Sequence, residues 1–180
     1  MTDALPSNYF ALFGIPVSYD VDLAKIQQRY RELQKAVHPD RYSSASDQER
    51  RMSMQQASLI NQALHTLKHP VERAMYLMQL KDSQFSMDNQ TTMDTGFLMQ
   101  QLEMREKLEA IRSYQDPITE LESMSAQVKA AIQTFAEEFG GAYQADDIER
   151  AKEALRKLQF LHKVGAEIAE LIASIEDELM

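Results

Sequence analysis

Leu23, Ile26, Tyr30, Leu33 and Val37 recur at spacings of three, four, three and four residues, and Pro39 ends the run. That rhythm is one face of an α-helix lying against a second, antiparallel helix. Pro39 disfavours helical geometry in the residue before it, so the helix that Asp20 or Asp22 caps must end near His38. A polar stretch, HPDRYSSASD, follows. Ser46 or Asp47 then caps a partner helix whose buried face holds Ala57, Ile60, Leu64 and Leu67. A helical hairpin is the expected result. Short flanking helices complete it: one from Ser7 through Tyr9, Phe10, Leu12 and Phe13, ended by Gly14 and Pro16, and one over VERAMYLMQL after Pro70.

Residues 81–93, KDSQFSMDNQTTM, are polar and aperiodic and are expected to connect an N-terminal domain, residues 1–80, to a C-terminal one, residues 94–180. Three helical patterns lie beyond the connector. They run from Asp94 or Thr95 to about Ser113, from Asp116 to Phe139, and from Asp146 to about Leu179. The middle one has Asp-Pro at its start and Gly140-Gly141 at its expected end. A three-helix bundle with short connections follows, and the fold class is all-α throughout.

Composition narrows the chemistry. With no cysteine among 180 residues, disulfides, thiolate catalysis and cysteine-held zinc or iron-sulfur clusters are excluded for this chain. The net charge of -9 is uneven. Residues 1–80 carry nine Lys/Arg against eight Asp/Glu, and residues 81–180 carry ten against twenty. An acidic chain repels nucleic-acid phosphates unless it concentrates a basic patch, so no nucleic-acid role is expected. No run approaches the roughly 18 apolar residues of a membrane span, and MTDALPSNYF lacks a signal-peptide core. A soluble cytoplasmic protein without a membrane role is expected.

One basic patch exists. Lys25, Arg29, Arg31 and Lys35 share the face of the second helix opposite its apolar stripe, with Gln28 and the single acid Glu32. Such a face is ordinary on a solvated helix. Here it leads straight to His38-Pro39-Asp40 in a near-neutral half, which suits docking to an acidic partner. His38 and Asp40 also suggest an acid/base pair, yet no nucleophile, phosphate loop or paired carboxylate accompanies them. His65 and His69 have ligand-compatible i, i+4 spacing but no evident third ligand. They read as a last-turn pair at the helix's C-terminal carbonyls.

The helix from Asp94 is apolar on two sides. Phe97, Met104, Leu108 and Ile111 cluster within about 60° and form a core stripe. Leu98, Met99 and Leu102 form a second patch about 150° away, bordered by Glu103 and Glu106. One helix cannot turn both onto one core. Either the second patch is buried elsewhere, or it is an exposed Leu/Met surface rimmed by acid, a common form of partner site. Phe160, off the stripe of Leu155, Leu158 and Leu161, can extend that patch.

NYFALFGIP, the basic amphipathic helix, HPDR and the long third helix together resemble a J-domain, for which HPD between those helices is the defining signature. HPVERAMYLMQL followed by DTGFLMQQLEMREKLEAI resembles the HscB family of J-type co-chaperones in iron-sulfur cluster assembly, and the likeness spans essentially the whole chain. The resemblance implies a protein with no enzyme activity or cofactor of its own. Its J-domain would stimulate ATP hydrolysis by the DnaK-type chaperone HscA through Lys25, Arg29, Arg31, Lys35, His38, Pro39, Asp40 and Arg41. Its bundle would bind the scaffold IscU through Leu98, Met99, Leu102, Glu103, Glu106 and Phe160. Ala110 stands where a further acidic contact is expected, and the eukaryotic members' N-terminal cysteine motif is absent, which favours the bacterial form. The rival expectation is a J-domain adaptor that recruits a different client.

Overall fold

A computed structural model of the chain describes residues 6–38, 46–87, 92 and 94–179; Pro39, Asp40 and Arg41 therefore lie outside the described residues. Seven α-helices and one short 3-10 turn make up the described structure, with no strand among them. The chain divides into two compact units, Met1–Phe85 and Ser86–Met180.

In the first unit, α1 (Tyr9–Phe13) is capped by Asn8, not Ser7: the Asn8 side chain accepts the Ala11 N–H at 2.8 Å. Gly14 then closes the helix at φ 65, a left-handed geometry that costs glycine little. α2 (Leu23–Val37) is capped by Asp22, and α3 (Asp47–Lys68) by a reciprocal Ser46–Glu49 capping box. α4 (Pro70–Lys81) begins with proline at its first position, where no N–H is missed. Of the expected stripes of α2 and α3, Ile26, Val37, Ile60 and Leu67 are buried and Tyr30, Leu33, Ala57 and Leu64 half-buried, and Phe10, Phe13, Ala63, Ala74 and Leu77 complete the core. Leu23 departs from that expectation. It is 49% exposed, being the first residue of α2, at the helix end.

The second unit contains α5 (Thr95–Ala110), the 3-10 turn Ile111–Ser113, α6 (Pro117–Gln144) and α7 (Ile148–Leu179). Phe97, Leu108, Ile111, Leu121, Met124, Val128, Leu161, Val164 and Ile168 form its core. The expected stop at Gly140-Gly141 is not where α6 ends, since both glycines are helical. Two glycines weaken a helix without forbidding it. The stop comes instead at Asp146, whose φ of 60 places it in the left-handed region. The Asp146 N–H bonds the Tyr143 carbonyl and the Asp147 N–H bonds the Ala142 carbonyl at 2.9 Å, a Schellman closure. The Asp147 side chain, not that of Asp146, then accepts the Arg150 N–H at the start of α7.

Candidate functional site

The first candidate surface is the outer face of α2. Lys25, Arg29, Arg31 and Lys35 are all exposed, and the helix supplies its own counter-charges: Lys25 lies 3.7 Å from Asp22 and Arg29 2.9 Å from Glu32. The Arg29 hydrogen bond holds Glu32 below the ordinary carboxylate range. Exposed pairs of this kind contribute little to stability. His38, at the C-cap of α2, is exposed and extended (φ -60, ψ 131). Pro39, Asp40 and Arg41 follow it outside the described residues.

The end of α2 is anchored by α3. The Ser53 hydroxyl, 2% exposed, donates to the Val37 carbonyl at 2.7 Å, satisfying an acceptor at the end of α2. Farther along the hairpin, Asn61 Oδ1 accepts from Tyr30 Oη at 3.0 Å and from Gln34 Nε2 at 2.7 Å. The register between the two helices is thus set by polar contacts as well as by packing. At the other end of α3 the His65 and His69 rings lie 4.2 Å apart, and His69 Nδ1 is 2.7 Å from the His65 carbonyl. The pair serves the helix terminus, as expected; no metal-binding cluster occurs among the described residues.

The second candidate surface is α5. Its apolar residues fall on opposite faces and nearly cancel, leaving the helix without a net amphipathic direction. Phe97, Leu108 and Ile111 are buried and Met104 packs against them, while Met99 is 65% and Leu102 59% exposed. Leu98 is half-buried; Glu103 and Glu106 are exposed. The second patch is therefore a surface.

Phe160 departs from the expectation that it simply extends this patch. It is half-buried against the bundle core, edge-on to Phe97 with ring centroids 5.8 Å apart. It is reached through a cleft of about 300 Å³ between α5, α6 and α7, whose lining also includes Glu103, Met104, Met124 and Phe135. Glu103 is the residue that the cleft and the α5 patch share.

Polar residues that periodicity did not single out hold α5 in place. Lys157, 8% exposed, places Nζ 2.6 Å from Asp94 Oδ2 and 4.9 Å from the centroid of the Phe135 ring. Asp94 also caps α5 by accepting the Phe97 N–H. The Lys157 hydrogen bond, followed by that from Phe97, keeps the Asp94 carboxyl below its usual range. Beyond the far end of α5, Arg112 donates twice to Glu178, at 2.8 and 3.0 Å, the fork geometry that suits guanidinium and carboxylate. Only the long-range partners identify these residues, and spacing along the chain carries no sign of them.

Comparison with known proteins covers both units of the chain. A family model described as the DnaJ domain matches residues 8–76, and one described as the HSCB C-terminal oligomerisation domain matches residues 93–177. A protein named as a co-chaperone protein HscB homolog from Shewanella halifaxensis (strain HAW-EB4) is 41% identical over 176 residues, covering 96% of this chain and 98% of that protein. The solved structure of chaperone HscB from Vibrio cholerae superposes with a TM-score of 0.82 at 35% identity, over 96% of this chain and 99% of its own. That of the human co-chaperone protein HscB gives 0.80 at 33% identity, over 92% of this chain and 82% of its own.

Proposed function

The chain belongs to the HscB co-chaperone family, and from that membership we propose that it binds the iron-sulfur scaffold IscU, delivers it to the chaperone HscA and stimulates HscA's ATP hydrolysis. The J-domain itself implies a DnaK-type partner. In the proposed mechanism Lys25, Arg29, Arg31 and Lys35 steer and orient that domain against an acidic surface of the chaperone. His38, Pro39, Asp40 and Arg41 make the stereospecific contact: Pro39 fixes backbone shape and Asp40 offers an anionic acceptor. The ATP site belongs to the partner, and the action is cytoplasmic.

The observation that carries the client half of this reading is the exposure of Met99 and Leu102 on a helix whose opposite face is core. A soluble domain seldom keeps large apolar side chains together on its surface without a partner for them. Leu98 flanks them, Glu103 and Glu106 give a polar rim, and Phe160 stands within the adjoining cleft. Residues 1–80 form the chaperone-facing domain and residues 94–180 the client-facing one, with 81–93 between them.

Steady-state ATPase of HscA with this protein, with and without IscU, tests the proposal. Stimulation by the protein alone and a further increase with the scaffold are expected. Stimulation that IscU leaves unchanged, together with failure of the protein to retain IscU in a pull-down, would leave an adaptor for another client.

A further inference from the structure

Sulfur enters this chain only as methionine: there are 11 methionines and no cysteine. A cysteine thiolate is the group that oxidants ordinarily reach first, so here the thioethers are the side chains most open to two-electron oxidation. Exposure divides them. Among the described residues Met52, Met54 and Met99 are each more than half exposed, whereas Met78 and Met124 are buried in the cores of their two units.

Met99 differs from Met52 and Met54, both on α3, in where it stands. It lies on the outer face of α5, three residues before Leu102 and four before Glu103, with Glu106 a turn farther along. Residues at these spacings are neighbours on a helix surface. A methionine there packs as an adaptable apolar side chain, but its sulfoxide is polar and carries an acceptor oxygen. The face offers that oxygen no donor, because Leu102 has no polar group and the carboxylates of Glu103 and Glu106 only accept. In the free protein water satisfies it. Beneath a docked client water is excluded, and an acceptor buried without a donor is costly.

We propose that Met99 is an oxidation site whose sulfoxide releases the α5 face from its client while leaving the fold intact. The oxidant is an oxygen-atom donor of the hypochlorous acid class. Its oxygen bonds to the Met99 sulfur, which gives up two electrons; the oxygen–chlorine bond breaks, chlorine leaves as chloride and one proton passes to water. A thiol-dependent methionine sulfoxide reductase returns the thioether, the oxygen leaving as water while two thiols of the reductant join as a disulfide. Client loading is thereby stopped reversibly, without any thiol of the chain's own. The proposal rests on the reading of α5 as the client surface.

Its test is to titrate the full chain with hypochlorous acid, quench it, and divide it between peptide mass spectrometry, a thermal melt and isothermal titration with IscU. Met52, Met54 and Met99 are expected to convert well before Met78 and Met124, and IscU affinity should fall roughly tenfold in step with Met99 sulfoxide while Tm stays level. Methionine sulfoxide reductases acting on both epimers should restore it. With each variant compared against its own untreated sample, Met99→Leu should lose no further affinity on oxidation, and Met52→Leu with Met54→Leu should show the full loss. Unchanged affinity of the parent at complete Met99 conversion overturns the proposal, as does an equal loss in Met99→Leu, which would place the damage elsewhere. If the untreated parent does not bind IscU, the client reading fails; conversion of Met99 no faster than that of Met78 then overturns the oxidation site as well, and faster conversion upholds it.

Discussion

Ser53 and Val37 are joined by a hydrogen bond at the mouth of the helical hairpin: a hydroxyl buried to 2% donates to the last carbonyl of α2 at 2.7 Å, one residue before His38. The bond fixes where α2 stops relative to α3, one residue before its C-cap His38. Removing it leaves a carbonyl without its donor in a dry place. Ser53→Ala is expected to lower stability by about 1 kcal/mol, a fall in Tm of about 2–4 °C, and to reduce chaperone stimulation beyond what the loss of folded protein explains. Thermal melting and ATPase stimulation on one preparation check both parts.

Asp40→Asn keeps the size and turn preference of the residue and removes only its charge. Helix content and IscU affinity should remain as in the parent, and stimulation of HscA should be lost. Full stimulation by this variant would rule out an anionic trigger.

Salt acts on the α2 face by screening. The Debye length falls from about 10 Å at 0.1 M to about 3 Å at 1 M, so the steering proposed for Lys25, Arg29, Arg31 and Lys35 should fade as salt is raised. Chaperone titrations at several ionic strengths should show a rising half-maximal concentration of this protein, and Arg31→Ala should flatten that dependence.

For the proposed client face the cleanest variant is Met99→Ala with Leu102→Ala, since these are the exposed members; Leu98 is half-buried and its truncation also disturbs packing. Affinity for IscU should fall about tenfold or more, with stability changed by no more than about 0.5 kcal/mol. Isothermal titration and a melt decide it, and a large drop in Tm would mean that the face is core.

Acid stability follows from the helix caps. Asp22, Asp94 and Asp116 all have carboxyls held below their ordinary value of 3.8: Asp22 by the Lys25 N–H, Asp94 by Lys157 and Asp116 by the Thr119 N–H. A carboxyl depressed in the folded state contributes its stabilisation fully above the unfolded value, and that contribution disappears as pH falls through the folded one. Stability should therefore be level near neutrality and decline below about pH 5. Asp116→Asn, which still caps, should make the acid limb shallower in urea titrations at stepped pH.

The division of α5 into a buried face and an exposed one was legible because helix geometry converts spacing into angle, and Phe97, Leu108 and Ile111 fell where the 3.6-residue period puts them. The end of α6 was not. Gly140-Gly141 satisfies the usual stop signal, but the left-handed residue proved to be Asp146, and whether a glycine ends a helix depends on the packing it finds. Lys157 was illegible for a different reason. A lysine is by default solvated, and its partner Asp94 lies 63 residues away, a distance across which no local pattern carries information. Ser53, similarly, is one polar residue among many until the fold brings Val37 to it. The HPD segment was found from the sequence, while its geometry beyond His38 lies outside the described residues.

The flanks of α5 are both tied to the same rod: Thr92 and Asp94 to Glu153 and Lys157 ahead of it, Arg112 to Glu178 beyond it. A stave pinned at one end can swivel about the pin, whereas one pinned at both cannot. Whatever settles on Met99 and Leu102 therefore meets a girder, and its angle to α7 is decided when this chain folds, before any cargo arrives.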